Sequence, residues 1–428
     1  MSEPHPPQAV GKVVLASFVG TAVEWYDFFL YGTAAALVFS RLFFPELDPA
    51  AGLLASLGTY AVGFFARPLG GIVFGHFGDR LGRKSTLVVS LLMMGTATSL
   101  IGLLPTYASV GFWAPLFLTL LRFVQGFGVG GEWGGAVLLA VEHGRAGRRG
   151  FRSSWVQVGV PAGLLLANAA FTLAASLPDN NFLAWGWRLP FLAGGVLVAV
   201  GLFVRLKVLE SPVFEKARAE PAAGPPLAQL LRRHWRNVLL AMGARMAENV
   251  AFYVLTVFVL SYATRQLGLA QPTILHAVLG ASALQFLTMP LAGILSDRLG
   301  RRPVYLFGAI GTGLFAFPLF LLLDTRQVPL IWLALALGLG LFHAAMYGPQ
   351  GAFFAELFGT RVRYSGASLG YQLASPLAGG LAPLIATALL EWSGGHTWPV
   401  AAYIVAMVLI TLLSVFLAKE TATTALMD

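Results

Sequence analysis

Twelve stretches of this chain are each long and apolar enough to cross a lipid bilayer, and nothing else in the sequence limits the fold as strongly. A membrane helix needs about 20 mostly apolar residues. Such runs lie near 13–40, 51–78, 85–104, 113–142, 151–176, 186–208, 237–266, 272–296, 303–324, 328–358, 365–391 and 398–418. In hydrocarbon every backbone N–H and C=O must be bonded internally, which leaves helices and closed barrels. The runs are far too long for barrel strands and do not alternate. The expected fold class is therefore an all-α membrane protein of twelve transmembrane helices. Several runs exceed the bilayer thickness, which predicts tilt or ends that reach into the cytoplasm. Composition agrees: only 11% of residues are charged, against about 25% in a soluble protein, so the charge that would keep this surface in water is missing.

The formal charge of +9 on a soluble chain would suggest nucleic acid. The placement of the basic residues points to topology instead. An even number of spans puts both termini on one side. If that side is the cytoplasm, 21 of the 28 basic residues fall in cytoplasmic segments. Arg41, Arg188, Arg265 and Arg326 fall outside, and Arg67, Arg122 and Arg245 fall within spans. Basic residues hold loops on the cytoplasmic side, so both termini are expected there, with anionic lipid as the neighbour of that face and no nucleic-acid partner. The first ten residues lack the basic start and small-residue site of a cleaved signal peptide. Cysteine is absent, which excludes disulfides and thiolate metal sites. There is no G-x-x-x-x-G-K-[ST] phosphate loop and no H-E-x-x-H, so neither ATP-driven nor metal-dependent chemistry is indicated. The chain is not expected to be an enzyme or to hold a cofactor.

The second half repeats the first. Gly75–Lys84 reads GHFGDRLGRK and Gly293–Arg302 reads GILSDRLGRR, with Asp79 and Asp297 218 residues apart. Glu142 precedes Arg149 by seven residues, as Glu356 precedes Arg363. The first and seventh spans each carry a buried acid, Glu24 and Glu248. Matched repeats of six spans predict two six-helix bundles related by a pseudo-two-fold axis along the membrane normal. The expected division is an N-terminal bundle over 1–208, a cytoplasmic linker over 209–236 and a C-terminal bundle over 237–428. The linker is rich in proline and charge, with a short amphipathic helix expected near 227–235.

The segment GHFGDRLGRK resembles the signature between spans 2 and 3 of the major facilitator superfamily, G-x-x-x-D-R-x-G-R-K. EWYDF (Glu24–Phe28), FFARPLGG (Phe64–Gly71), RFVQGFGVGGEWGGA (Arg122–Ala136), LESPVFEK (Leu209–Lys216) and ELFGTRVRYSGASLGYQL (Glu356–Leu373) resemble its metabolite:H⁺ symporter branch. That branch includes transporters for shikimate, 2-oxoglutarate, citrate and proline/betaine. The resemblance spreads over nearly the whole chain. It implies a proton-coupled symporter in the bacterial plasma (inner) membrane, monomeric, with a small-molecule substrate and protons as its partners. About ten residues follow span 12, so the long tail of the osmosensing betaine/proline type is missing. The Gly-Pro dipeptide of drug:H⁺ antiporters is also missing, since Gly159-Val160-Pro161 stands there.

The resemblance also implies a cytoplasmic gate built from the two repeated motifs. Its expected members are Gly75, Asp79, Arg80, Gly82, Arg83, Glu142 and Arg149, and, in the second half, Asp297, Arg298, Arg301, Glu356 and Arg363. Asp79 is expected to cap a helix end of the opposite bundle, and the basic residues to pair with carboxylates such as Glu142. A salt-bridge set with two arrangements suits a rocking transporter. Glycines spaced by four, such as Gly126, Gly130 and Gly134, let helices approach closely.

Ionisable groups at membrane depth are costly and usually face a cavity. They concentrate on spans 1, 4, 7 and 10, which line the central cavity of the parallel-repeat fold. A guanidinium holds a carboxylate bidentately, so Arg122 is the first candidate for substrate binding, followed by Arg67 and Arg245. Gln125, Asn249, Tyr31, Tyr347, Gln350, Tyr371 and Gln372 are the polar groups expected beside them. A carboxylate in low dielectric can carry a proton, and Asp27, Glu24, Glu132 and Glu248 are the candidates, with His343 as a relay. Asp27 or Glu24 is the expected coupling residue. Four acids against three arginines leave one acid to titrate. The expected function is proton-coupled import of a small organic solute, a carboxylate, by alternating access. The alternatives are a uniporter or exporter of the same fold, or a symporter of a zwitterion such as betaine or proline.

Overall fold

A computed structural model describes residues 7–143, 146–207, 211 and 226–423. The twelve expected spans are all present: α1 Val10–Phe43, α2 Ala51–Leu81, α3 Arg83–Leu103, α4 Trp113–Glu142, α5 Arg149–Ala175, α6 Arg188–Leu206, α7 Trp235–Arg265, α8 Gln271–Leu299, α9 Arg301–Asp324, α10 Val328–Glu356, α11 Arg363–Trp392 and α12 Trp398–Leu417. No strand occurs among the described residues. Most of the linker, including Leu209, Glu210 and 212–225, lies outside the described residues. Its expected amphipathic helix is seen at Pro226–Arg233, with Leu230 fully buried where it packs on α2 and α11.

Several helices on the face that carries the termini run past the limits read from hydropathy. α2 continues through Asp79 and Arg80, α3 starts at Arg83, α5 at Arg149, α8 ends past Asp297, and α9 and α11 start at Arg301 and Arg363. Hydropathy treats these charges as loop. In the fold most of them are buried and paired, so the helices hold them.

The helices form two six-helix halves. Within the first, α1 packs on α5 and α2 on α4; within the second, α7 packs on α11 and α8 on α10. The halves meet along α2 with α11 and α5 with α8, the exchange that a pseudo-two-fold axis demands. α1 and α7 have 78% of their apolar windows buried, and α6 and α9 only 33%. The first pair is therefore central and the second faces lipid, which explains why Phe203, Val196, Leu314 and Phe307 stand exposed. Between α2 and α4 the backbones nearly touch. A Cβ on Gly130 would sit 2.2 Å from the Arg67 carbonyl oxygen, and one on Gly126 2.2 Å from that of Gly63. This is the close approach that small residues permit. At the matched turns between α2 and α3 and between α8 and α9, Gly82 and Gly300 have φ of 121° and 106°, backbone that favours glycine.

Candidate functional site

On the first half, α1 carries Glu24, Asp27 and Phe28 to one pocket. α2 brings Gly63 and Arg67, α3 brings Met94, and α4 brings Arg122, Gln125, Gly126 and Val129. The central cavity was expected between spans 1, 4, 7 and 10; this pocket is lined by α1 to α4 alone. In the second half the polar groups of α7 and α10 bond to one another.

Four charges face the pocket, and none of them enters an ion pair recorded among the described residues. The Arg67 guanidinium lies 4.4 Å from the Phe28 ring centre and 4.9 Å from that of Phe64. The Arg122 guanidinium lies 4.3 Å from the Tyr31 ring and 4.8 Å from that of Tyr60. Ring faces hold a cation without neutralising it. Nε and Nη2 of both arginines, Oε2 of Glu24 and Oδ1 of Asp27 are buried with no hydrogen-bond partner. Buried polar groups are nearly always bonded, so a cluster of orphans on one pocket marks a place prepared for something else. One bonded chain crosses it. Arg122 Nη1 donates to Gln125 Oε1 at 3.3 Å, Gln125 Nε2 to Thr98 Oγ1 at 2.6 Å, and Thr98 Oγ1 to Asp27 Oδ2 at 2.8 Å. The first candidate arginine is thus linked to the first candidate acid through two side chains.

The second half is more extensively bonded, although Arg245 Nε, Gln285 Oε1 and Gln350 Oε1 are also buried without a hydrogen-bond partner. Arg245 Nε lies 3.5 Å from Glu248 Oε2, and its Nη1 donates to Ser375 Oγ at 2.7 Å. Its guanidinium sits against the Tyr371 ring. Glu248 also accepts from Gln350 Nε2 at 3.2 Å and meets His343 Nε2 at 3.1 Å. Gln285 Nε2 lies 2.8 Å from His343 Nδ1, so Nδ1 accepts and Nε2 carries the proton toward Glu248. Tyr347 and Tyr371 bond through their hydroxyls at 3.0 Å. Asn249 Nδ2 and the Tyr253 hydroxyl have no partner.

Tyr31 stays beside the pocket, its ring against Arg122 and its hydroxyl bonded to Thr59 at 2.7 Å. Other expected residues fall elsewhere. Gln372 crosses to the α4 backbone at Gly130, 3.3 Å away. Glu132 pairs with Arg205 of α6 and accepts from Ser90 at 2.8 Å, a link inside the first half that does not line the pocket. Arg205 was placed in a cytoplasmic segment by the sequence; it is buried at membrane depth, in space left by Gly20, where a Cβ would overlap it. Counting Arg205, the buried set holds four acids and four arginines rather than four and three.

At the termini face the two motifs form matched locks between the halves. Asp79 accepts from Ser365 N at 2.9 Å and Tyr364 N at 3.2 Å, capping α11. Asp297 accepts from Gly150 N at 2.8 Å and Phe151 N at 2.9 Å, capping α5. Carboxylates at helix N-termini satisfy orphan N–H groups and the helix dipole. Glu142 lies between Arg83 at 3.6 Å and Arg363 at 3.0 Å. Glu356 lies between Arg301 at 3.0 Å and Arg149 at 3.3 Å. Gly75 leaves room for Ser365, whose Cα would lie 2.8 Å from an added Cβ. Two expected members stay outside the lock: Arg80 is exposed and faces His76 at 3.4 Å, and Arg298 is exposed.

The sequence reading missed Ser365, Ser211 and Thr421. Ser211 bonds Glu142, and Thr421 Oγ1 bonds Glu356 Oε2 at 2.8 Å. The repeat signal was present, since Glu210-Ser211 follows α6 as Glu420-Thr421 follows α12. Toward the other end of the molecule, aromatic rings meet across the halves: Phe29 with Phe252 at 6.2 Å, and Phe64 with Tyr253 at 5.5 Å. Below the pocket Trp133 stacks on Tyr371 at 3.7 Å, and Gln157 joins Trp133 to the Tyr347 carbonyl.

The chain is similar to known proteins along nearly its whole length. The family model described as Sugar (and other) transporter matches residues 12–224, and that of the Major Facilitator Superfamily matches 244–425. The chain is 44% identical over 413 residues to the shikimate transporter of Escherichia coli, covering 96% of this chain and 94% of that one. It is 45% identical over 425 residues to the inner membrane metabolite transport protein YhjE of the same organism, covering 97% and 96%. The solved proton:xylose symporter XylE bound to 6-bromo-6-deoxy-D-glucose superposes with a TM-score of 0.78 over 97% of each chain, at 17% identity, and so shares the fold. The chain belongs to the major facilitator superfamily, as a membrane transporter rather than an enzyme, in the branch of the shikimate and metabolite transporters.

Proposed function

We propose that this transporter is a proton-coupled symporter that imports a small organic carboxylate by alternating access. The observation that carries the reading is the pocket of α1 to α4, where two guanidiniums and two carboxylates face one another with buried, unpartnered polar atoms. Arg122 and Arg67 hold the substrate carboxylate, and Gln125 orients it. Asp27, joined to Arg122 through Gln125 and Thr98, carries the proton, with Glu24 beside it. Arg245, Asn249, Tyr347, Tyr371, Gln350 and Gln372 supply the opposite wall once the second half rocks. Glu248 and His343 hold that wall together, and Glu132 ties α4 to α6. The pocket lies between the lock at the termini face and the aromatic layer beyond it, as a site exposed alternately to the two sides requires.

The halves 1–208 and 237–428 move as bodies, tethered by 209–236, and the protein acts as a monomer in the inner membrane. Both termini lie in the cytoplasm, since the termini face bears most of the basic residues. The locks formed by Asp79, Asp297, Glu142 and Glu356 then make the cytoplasmic gate, closed in this structure. A zwitterion is the second reading, because the pocket offers an acid for an ammonium group as well as arginines for a carboxylate.

Reconstitution in liposomes under an inward proton gradient tests the function. Uptake of labelled shikimate, 2-oxoglutarate, citrate, proline and betaine is measured with and without a protonophore. Accumulation of a carboxylate that collapses with the protonophore is the expected result. Equilibration without accumulation would make the protein a uniporter. Asp27→Asn is expected to abolish uphill uptake while retaining counterflow exchange, and concentrative uptake by that variant would remove Asp27 from the coupling role.

A further inference from the structure

At the depth of the pocket four buried acids face four buried guanidiniums, so the set is neutral when all eight are ionised. The acids are Glu24 and Asp27 on α1, Glu132 on α4 and Glu248 on α7. The guanidiniums are Arg67 on α2, Arg122 on α4, Arg205 on α6 and Arg245 on α7. All eight are at most 3% exposed. His343 on α10 lies with Nδ1 2.8 Å from Gln285 Nε2 and Nε2 3.1 Å from Glu248 Oε1, and the count takes it in the neutral form. The groups facing the set from α1, α2, α7, α10 and α11 (Tyr31, Tyr60, Tyr253, Tyr347 and Tyr371) are phenols. The gate balances in the same way: Arg83, Arg149, Arg301 and Arg363 stand against Asp79, Asp297, Glu142 and Glu356. Only half of the pocket-depth set is locked in pairs, Glu132 with Arg205 and Glu248 with Arg245. The other half faces the pocket and is free to respond to what enters.

We propose that the empty site is electrically neutral, that each negative charge on the solute enters with one proton, and that a full transport cycle therefore moves no net charge. A carboxylate entering alone would leave one uncompensated charge deep in the membrane, which is strongly unfavourable. One proton on Asp27 or Glu24 cancels it. Solute and proton thereby raise each other's affinity by the same factor, as linkage demands. The return of the empty carrier also moves a neutral set across the membrane, so neither half of the cycle is driven by the potential. The inference rests on the carboxylate and proton reading above and adds to it the stoichiometry and the indifference to voltage.

The test uses the full chain in liposomes, with the potential clamped by potassium and valinomycin, an internal pH dye, and labelled shikimate as the probe. One proton per shikimate is expected. At a fixed pH gradient, accumulation should change less than about twofold when the potential is taken from zero to 100 mV, inside negative. One net charge per cycle would shift accumulation about 50-fold over that range. A shift of that size, or two protons per shikimate, overturns the inference while leaving proton-coupled uptake intact. Where shikimate is not taken up, the carboxylate that is accepted among 2-oxoglutarate and citrate replaces it as the probe, and uptake of none of the three overturns the carboxylate reading and this inference with it. Asp27→Asn supplies a second arm, with Glu24→Gln removing the same charge if the first variant is inactive. The pocket then balances a carboxylate without a proton, so shikimate should distribute with the potential, driven outward by an inside-negative voltage and with no dye response. Electroneutral uptake with a proton in that variant would overturn the proposal.

Discussion

Arg122 illustrates how much one residue depends on its surroundings. Three rings, Phe28, Tyr31 and Tyr60, hold its guanidinium within 5.0 Å of their centres, and Gln125 is its one hydrogen-bonding side chain. Planarity matters for stacking and for a two-point grip on a carboxylate, and lysine offers neither. Arg122→Lys is expected to raise KM for counterflow by about tenfold or more, corresponding to about 1.4 kcal/mol, with the protein still folded by thermal melting. Glu420, beyond the end of α12, is a residue of the opposite kind. Burial alone would push its carboxyl up, but N–H groups of Ala422, Arg301, Arg302 and Thr421, at 2.8 to 3.0 Å, outweigh it and hold the carboxyl below its usual range. A lowered folded value gives stability that is fully present above the unfolded value of about 4.3 and is lost as pH falls through the folded one. Glu420→Gln should therefore melt earlier at pH 7, by the loss of about 1 kcal/mol typical of a helix cap. The gap from the wild type should narrow as the pH of the melt falls below the unfolded value and close once it passes the lowered folded one. A gap that persists there would mean that packing, not charge, is what the variant removes. Of these residues the sequence singled out Arg122 and passed over Glu420, because a two-residue match between polar segments, Glu210-Ser211 and Glu420-Thr421, is a weak signal beside a charge within an apolar run.

The elements show where a repeated motif carries its meaning. Asp79 and Asp297 occupy the same place in two copies of one sequence, and each caps the first turn of a helix in the opposite half. A charged acceptor at a helix N-terminus contributes about 0.5 to 2 kcal/mol, and two of them act on the same closed face. Asp79→Asn should weaken the lock without unfolding the bundle. The chain has no cysteine, so a single Ser368→Cys probe, 1% exposed where it abuts Gly134, reports on opening. Its labelling by a membrane-impermeant maleimide added at the termini face should rise several-fold in the Asp79→Asn background. Unchanged labelling would show that the remaining ion pairs close the face by themselves. The helices and their order were legible because apolar runs of this length have one solution in lipid. Their ends were less so, since buried ion pairs let Arg83, Arg149, Arg301 and Arg363 sit inside helices that hydropathy cuts short.

For the whole molecule, the function lies in the relation between the halves. Ser153 on α5 and Gly351 on α10 face each other across the interface, with the Ser153 Cβ 3.0 Å from a Cβ built on Gly351, a little short of the disulfide mean of about 3.8 Å. Ser153→Cys with Gly351→Cys should crosslink on oxidation, hold the termini face closed and stop uptake, with activity restored by reductant. Uptake that survives crosslinking would mean that the halves do not part along this seam. Sequence alone determined the twelve spans, the two-fold repeat and the family, because these follow from local hydropathy and motif spacing. It also named the pocket's charged groups, since a charge within an apolar run is conspicuous. The tertiary structure decided how those charges divide. It paired Glu132 with Arg205, drew Arg245, Glu248, His343 and Gln350 into one bonded wall, and left Glu24, Asp27, Arg67 and Arg122 lining one small pocket without ion pairs among the described residues. The reason is that a buried charge is defined by its neighbours within a few ångströms, and those neighbours come from helices far apart in the chain.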